Sequence, residues 1–338
     1  MLKRILAVVV LSGAAACLAV DAGVTKEIHI GGPGRWDYVS VDPDTHHLYV
    51  TRSTHTQVID PTAGKVVADI PGGQGLHGTA IVPSVHRAFV TDGRAAKLMV
   101  IDTTTHALLC TTDAADDADG AIYDSGTDRV LVSCGDANQM LVLDPHADVT
   151  AMKAEKVDLG GKPEFLAADG QGRAFVCLND KNQIAVVDLK AMKVTERWPT
   201  GTGTSPAGLA IDVKNGRLFV GCHNDRMVVM SAADGKVLAE PPIGHGNDAC
   251  LFDPGTGHAF ASGSDGTLMV IGESSPGAFA VLQTVRTKPG SRTAGLDPAT
   301  HTVYVPAVEQ LPAADGKRPA AKPDSFSILV VDAWGDTK

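Results

Sequence analysis

The sequence predicts an all-β fold, a seven-bladed β-propeller of four-stranded antiparallel blades. Two observations predict it. A stretch of about 40 residues, 206–244, reads as four short strands in succession, which is the content of one propeller blade. Counting this stretch, the pattern occurs seven times in the chain, at spacings of 41, 41, 45, 43, 41 and 44 residues. A fixed period of this length is typical of a propeller.

The stretch 206–244 shows the repeat in full. Strands are expected at 208–212, 217–221, 227–230 and 236–240. Asn215-Gly216 and Asp234-Gly235 supply turns with positive φ. The alternating polarity of 236–240 indicates the outermost, half-solvated strand.

The ends of the chain are expected to meet. Repeats begin near residues 35, 76, 117, 162, 205, 246 and 290. The last repeat ends at Asp332 without a fourth strand, whereas 24–31 has the pattern of an outer strand. We therefore expect the N-terminal strand to complete blade seven and remove an open sheet edge. One propeller domain would then occupy residues 24–338.

Residues 1–22 have the pattern of a signal peptide. Lys3-Arg4 precedes an apolar run at 5–11 and small residues at 12–16. The run is too short for a transmembrane segment. The sequence therefore predicts a periplasmic or secreted protein. Cys17 offers a lipoprotein anchor as an alternative, which is disfavoured because Ala14 stands where such leaders usually have Leu.

Composition argues against polyanionic partners. The chain has 29 Lys and Arg against 39 Asp and Glu, a net charge of −10. Without residues 1–22 the balance is 27 against 38, or −11. This charge repels nucleic acid, so no nucleic-acid binding is expected. With 36 Gly and only 4% aromatic residues, the composition fits an all-β repeat protein, and we expect a monomer.

The cysteines indicate buried thiols. Outside the leader they are Cys110, Cys134, Cys177, Cys222 and Cys250, an odd number without a CxxC spacing. A thiolate metal cluster is therefore not expected. Small apolar filling of the core is favoured, and disulfide pairing stays open.

One repeat resembles a known family. Tyr49-Val50-Thr51 is followed at 58–70 by VIDPTAGKVVADI. This pair of segments resembles the YVTN-type repeat of bacterial secreted β-propellers, the YncE-like group. The resemblance covers 24–338, and it is strong in repeats one, four and five. It implies a seven-bladed secreted propeller and no particular reaction, because such folds carry many unrelated functions.

The face around the propeller channel is the predicted binding surface. The segments leading into the first strands and the turns after the second strands meet there. The side chains predicted to bind ligand are Arg35, Trp36, Arg52, His77, Arg94, Asp119, His223 and Arg292. Their arginines form a basic arc opposite the carboxylates of blades three and four. This arrangement suits a small anionic or zwitterionic ligand, and a protein partner is the alternative. For each residue separately, the alternative is a solvated loop charge.

No cofactor is predicted with assurance, although a divalent metal is left open. Asp117 and Asp119 resemble part of a calcium loop, but Ala115 stands where another ligand is needed and no suitably placed Glu follows. Residues 73–78 match GxGxxG. They precede a strand and open no helix, so a dinucleotide site is not expected.

Two functions from different classes are predicted. The first is a ligand- or protein-binding module that uses the channel face. The alternative is a lactonase-like hydrolase or lyase with Asp37, Glu164, His245 and Asp248 as catalytic candidates. Binding is favoured because the sequence contains no HExxH, GxSxG or P-loop motif.

The seventh repeat contains an insertion at 307–325, rich in Pro and Ala. Such a composition cannot build its own core. We expect a flexible flap or partner-binding loop over the channel face, with an insertion of no function as the alternative.

Overall fold

The computed structural model describes residues 23–312 and 319–332. These residues form 27 β-strands and one 3₁₀ helix, and within them no α-helix is present. The all-β prediction is therefore confirmed. The predicted leader and Cys17 lie outside the described residues, as do positions 313–318 of the insertion.

The strands are, in chain order, β1 (Gly23–His29), β2 (Val39–Val41), β3 (Leu48–Thr51), β4 (Ser53–Asp60), β5 (Lys65–Val82), β6 (Arg87–Asp92), β7 (Lys97–Asp102), β8 (Leu108–Asp113), β9 (Ala118–Asp124), β10 (Arg129–Cys134), β11 (Gln139–Leu143), β12 (Glu155–Asp158), β13 (Pro163–Ala168), β14 (Arg173–Leu178), β15 (Gln183–Asp188), β16 (Lys193–Pro199), β17 (Pro206–Asp212), β18 (Arg217–Cys222), β19 (Arg226–Ser231), β20 (Val237–Ala239), β21 (Asn247–Asp253), β22 (His258–Gly263), β23 (Thr267–Ser275), β24 (Ala278–Arg286), β25 (Gly295–Asp297), β26 (Thr302–Ala307) and β27 (Ser327–Asp332). The 3₁₀ helix spans Pro83–Val85.

Most of these strands form four-stranded antiparallel sheets. Five sheets of the described chain have this form: β9 to β12, β13 to β16, β17 to β20, β21 to β24, and β25-β26-β27-β1. The predicted unit at 206–244 corresponds to β17 to β20, with its turns at Gly216 and Gly235 in positive φ.

The sixth sheet has seven strands in the order β2 to β8. Its middle strand, β5, is 18 residues long. The first part of β5 pairs with β4 up to Leu76, and the remainder pairs with β6. One continuous strand therefore serves as the fourth member of one set of four strands and the first member of the next.

The two ends of the described chain meet in one sheet. Strand β1 pairs antiparallel with β27, with Ile28 opposite Ile328. Two further contacts join the same regions of the chain. The Thr293 hydroxyl donates to the Asp37 carbonyl at 2.7 Å, and His46 Nδ1 lies 2.8 Å from Asp297 Oδ2. Strand β1 is thus part of the last sheet, and Asp37 and His46 lie next to it.

The apolar core lies between neighbouring sheets. Second strands contribute large rings that are at most 1% exposed: Tyr49, Phe89, Phe175, Phe219 and Phe260. Phe175, for example, shares a core cluster with residues of the next sheet, such as Leu218 and Val220. These rings therefore fill the spaces between sheets.

The cysteines contribute to these interfaces as expected. Cys134, Cys177, Cys222 and Cys250 are buried and Cys110 is partly buried, and all five are free thiols. Burial raises the pKa of the Cys177 thiol well above its ordinary value. The described cysteines are therefore structural filling.

The β1 pairing can be tested at one side chain. Ile28 is 3% exposed in a core that includes Ile328 and Val330. We expect Ile28→Ala to lower the free energy of unfolding by about 2–4 kcal/mol, because it leaves a cavity. Val24→Ala is the control on the same strand, since Val24 is exposed and should change stability by only about 0.5 kcal/mol. Equal chemical denaturation curves for the two variants would contradict the observed packing of β1.

Candidate functional site

A cavity of about 820 Å³ opens where the segments leading into the first strands converge. Charges of both signs line it: Arg35, Arg94 and Arg292, with Asp37, Asp116, Asp117 and Asp136. His77, Trp36 and Gln74 complete much of its wall. Its volume falls in the range of small-molecule sites, about 300–1,000 Å³.

A single position of the repeat supplies a cluster of charges, of which Asp37 and Arg292 line this cavity. In five repeats the position holds a charged residue: Asp37, Asp119, Glu164, Asp248 and Arg292. The other two repeats have Ala207 and Gly78. A Cβ at Gly78 would lie 2.6 Å from the Asp119 carbonyl oxygen, so the neighbouring backbone leaves room only for glycine there.

His77 joins two of these carboxylates. Its Nδ1 lies 2.6 Å from Asp37 Oδ2 and 3.7 Å from Asp119 Oδ1. Burial opposes a charged imidazole, but the hydrogen bond to Asp37 and the charges of Asp119 and Asp37 outweigh burial. Together they raise the pKa of His77 to about 9. His77 is therefore a cation at neutral pH when no other cation replaces its proton.

Arg292 is held by carboxylates as well. Its Nε donates to Asp248 Oδ2 at 2.7 Å, and its NH2 lies 3.6 Å from Asp37 Oδ1. Burial opposes the charge of the guanidinium, but Asp248 and Asp37 raise the pKa of Arg292. Its side chain is still 45% exposed, so part of the guanidinium faces the cavity.

Two of the carboxyl groups titrate near neutrality. Burial, and then the charge of Asp37, raise the pKa of Asp119 to about 8, although His77 opposes this shift. Burial, and then the charge of Asp248, raise the pKa of Glu164 to about 7. Carboxyl groups in this range can exchange protons at physiological pH, which is a property of general acids and bases.

Two aromatic rings lie close together at the next position of the repeat. Tyr38 and Phe165 have ring centroids 5.1 Å apart, although Tyr38 directly precedes β2 and Phe165 lies in β13. Small residues such as Gly120 occupy this position elsewhere, and a Cβ at Gly120 would lie 3.0 Å from Phe165. Sequence reasoning missed Tyr38. Its signal was a large ring at a position that is otherwise mostly small.

Other predicted residues lie at the rim or outside the cluster. Arg35 and Arg94 are exposed and line the cavity. Trp36 lines it too, and its ring packs on Phe326 at 5.7 Å. His245 is 72% exposed and pairs with Asp225 at 3.0 Å, so the structure does not place it with the catalytic candidates Asp37 and Glu164.

Three further predicted residues have separate neighbours. His223 is exposed and lies near Asp248, whose pKa burial raises against the opposing charge of Arg292. Asp117 Oδ2 lies 3.3 Å from Lys162 Nζ. The suggested metal pair of Asp117 and Asp119 is therefore split, since Asp119 faces His77 while Asp117 faces a lysine.

Arg52 does not fit its predicted role in ligand binding. Its side chain is fully buried, and its guanidinium lies 3.7 Å from the Phe326 ring centroid. It donates to Gln57 Oε1 at 2.7 Å and to the Pro33 carbonyl at 2.8 Å, with longer bonds to neighbouring carbonyls. Arg52 therefore anchors the loop at 31–35, and the basic arc has three exposed members instead of four.

The insertion adjoins the same face. A second cavity of about 370 Å³ shares Arg35, Trp36 and Arg292 with the first, and residues 319–321 line its other side. The two described arms of the insertion are hydrogen-bonded, since Leu311 N donates to Ala320 O at 2.8 Å and Lys322 N to Glu309 O at 2.7 Å. These arms have a backbone pairing that the composition did not predict.

Comparisons with known proteins identify the fold. No family model and no curated protein sequence matches this chain. The structure is similar to Kuenenia stuttgartiensis hydrazine synthase, with a TM-score of 0.69 and 14% identity over 79% of this chain and 91% of the other. It is also similar to the Myceliophteria thermophila Cps50 (Swd1) β-propeller domain, with a TM-score of 0.69 and 10% identity over 91% of this chain and 98% of the other.

At these identities the likeness shows the fold alone, and the chain has a β-propeller fold. The site has to be interpreted from its own residues. Across 23–312 and 319–332, no helix is long and apolar enough to cross a membrane.

The anchoring role of Arg52 predicts a stability effect. We expect Arg52→Ala to lower the free energy of unfolding by about 2–4 kcal/mol, because it leaves buried carbonyls unpaired and removes packing on Phe326. Arg94→Ala removes an exposed guanidinium and should change stability by about 0.5 kcal/mol or less. Urea denaturation measures both variants, and an equally small effect of Arg52→Ala would refute the anchoring role.

The position of His77 predicts its titration. In protein treated with EDTA, NMR should show an imidazole that titrates near pH 9, compared with an ordinary pKa of 6.5. Asp37→Asn removes the hydrogen-bonded carboxylate and should lower the pKa of His77 by about one to three pH units. His146, an exposed histidine beside Asp128, serves as the internal reference. A His77 pKa that does not respond to Asp37→Asn would exclude the described pair.

Proposed function

We propose that this chain is a secreted, seven-bladed propeller of the YVTN type that binds a small ligand at its channel mouth. The division of β5 between two sets of four strands supports the seven blades. The pairing of β1 with β27 supports closure by the N-terminal strand, which would complete blade seven. The predicted leader at 1–22 motivates secretion.

The observation that carries the binding proposal is the cavity of about 820 Å³ with its two kinds of charge. Arg35 and Arg94 are exposed on its wall, where guanidinium groups can bind a carboxylate or phosphate through two hydrogen bonds. Carboxylates lie in the same cavity, and Asp117 and Asp136 share Lys162 as their cation. A ligand with an anionic group at the arginines and a cationic group at the carboxylates would satisfy both.

The ligand class we propose is therefore a small zwitterion, such as an amino acid or a short peptide. A purely cationic ligand would leave Arg35 and Arg94 unpaired. A polyanion would be repelled by the four aspartates of the wall and by the net charge of −10. The volume of the cavity, about 820 Å³, lies in the range of small-molecule sites, which favours a small molecule over a protein partner.

A thermal-shift screen tests this proposal. The probes are amino acids, dipeptides, simple dicarboxylates and inorganic phosphate, and we expect a zwitterion to raise the melting temperature most. Arg35→Ala and Arg94→Ala should weaken that probe by about tenfold or more, because each removes a charge-assisted hydrogen bond. Binding should also weaken between about 0.05 M and about 0.5 M NaCl, because salt screens exposed charges.

Arg286→Ala is the matched control, since Arg286 is an exposed arginine at the end of β24 and does not line the cavity. It should leave the affinity unchanged. If no zwitterion binds, or if Arg286→Ala weakens binding as much as Arg35→Ala does, the proposal is wrong.

The second candidate is a lactonase-like hydrolase or lyase at the same site. The observation that favours it is Glu164, whose pKa of about 7 suits a general base at neutral pH. Its test is hydrolysis of an aromatic lactone, with loss of the rate in Glu164→Gln. A rate equal to that of buffer would contradict lactone hydrolysis at this site.

A further inference from the structure

We propose that Asp37, His77 and Asp119 bind a divalent transition-metal ion at the base of the cavity. This inference stands independently of the organic ligand, since it concerns three side chains that meet without one. Their potential ligand atoms, one from each residue, all lie within 4.8 Å of one another. Within 23–312 and 319–332, this is the one group of three or more potential metal-ligating side chains whose ligand atoms lie this close together.

The spacing requires only small movements to accept an ion. In a tetrahedral site, metal bonds of about 2.0–2.2 Å hold neighbouring ligand atoms roughly 3.3–3.6 Å apart. The present separations lie on either side of that range, at 2.6 Å between His77 and Asp37 and 3.7 Å between His77 and Asp119. An ion that replaced the imidazole proton would separate the first pair slightly and draw Asp119 closer.

A buried oxygen atom without a hydrogen-bond partner also indicates a metal ion. Asp119 Oδ1 is buried and has no hydrogen-bond partner in the described structure. A buried carboxylate oxygen without a partner is unfavourable, and a metal bond would satisfy it. This atom is the one that faces His77 Nδ1.

The backbone of all three residues is already held in place. Each carbonyl accepts a bond from a buried threonine hydroxyl: Asp37 from Thr293 at 2.7 Å, His77 from Thr51 at 2.6 Å, and Asp119 from Thr91 at 2.7 Å. These bonds cross from one set of four strands to the next. Ligands that arise from three different blades are thus fixed before any ion arrives, which is what a metal site needs from its supporting residues.

The surroundings favour a cation and leave room for further ligands. Glu164, Asp248 and Asp117 add carboxylates near the three ligands, whereas Arg292 and Lys162 are the nearby cations. His77 is 31% exposed and, with Asp37, lines the open cavity. The remaining coordination positions would therefore face the solvent or a bound molecule.

The donor atoms decide the class of metal. One imidazole nitrogen with two carboxylate oxygens suits zinc, cobalt or manganese. Calcium and magnesium prefer sites of oxygen atoms alone, so they should bind more weakly.

The test uses the full folded protein after EDTA treatment and dialysis, with no organic ligand present. Calorimetry with Zn²⁺ and visible absorption with Co²⁺ should each report one ion per chain, and Ca²⁺ should not displace it. Asp119→Asn and His77→Gln should weaken Co²⁺ binding by at least about tenfold. His146→Gln, which removes a histidine from an exposed pair with Asp128, is the control and should bind as the wild type does.

Circular dichroism and melting temperature establish that each variant is folded. Should one of them fail to fold, NMR of the wild type decides the matter, since bound Co²⁺ must broaden or shift the His77 signals. Absence of stoichiometric binding, or Co²⁺ binding by Asp119→Asn equal to that of the wild type, would overturn the proposal. Because zinc and cobalt are the probes, a negative result here is distinct from a failure to bind zwitterions.

Discussion

The pairing of β1 with β27 is the contact on which the site depends. It holds the first described residues against the last sheet, so that Thr293 can hydrogen-bond to Asp37 and Arg292 can approach the same carboxylate. This pairing, together with the contact between His46 and Asp297, brings together residues that are more than 250 positions apart in the sequence. The assembly of the charged cluster is therefore a consequence of how the ends of the chain are joined.

The charged cluster contains more carboxyl groups than cationic side chains. Asp37 contacts both His77 and Arg292, and Asp119 has a buried oxygen without a hydrogen-bond partner. Protons on Asp119 and Glu164 relieve part of the repulsion, as their raised pKa values indicate. A bound cation would relieve the rest, because it would replace several like-charge contacts with attractive ones. The electrostatics thus favour a ligand that brings positive charge to the base of the cavity and negative charge to its arginine rim.

The arginines of the predicted basic arc show that residue type alone does not predict whether a side chain faces the cavity. Arg35, Arg52 and Arg94 look alike in sequence, as polar residues of connecting segments. Arg52 is buried under the loop at 31–35, where carbonyl oxygens and Phe326 replace water around its guanidinium. Burial lowers the pKa of Arg52 to about 10, which still leaves it charged at neutral pH. Its charge is therefore used to fix a loop that carries Arg35 toward the cavity.

The sequence alone predicts the strands, because alternating apolar residues and positive-φ turns such as Asn215-Gly216 are local signals. It also placed Asp37, Asp119, Glu164, Asp248 and Arg292 at one position of the repeat, so their convergence could be expected. Which of these residues are in contact depends on how the sheets pack. The His77 contact with Asp37 and Asp119, the separate pairing of His245 with Asp225, and the burial of Arg52 depend on side-chain direction and on packing between distant segments. The alternation of polar and apolar residues cannot predict these contacts. It indicates which face of a strand a side chain occupies, but it does not indicate which residue of a distant segment lies opposite.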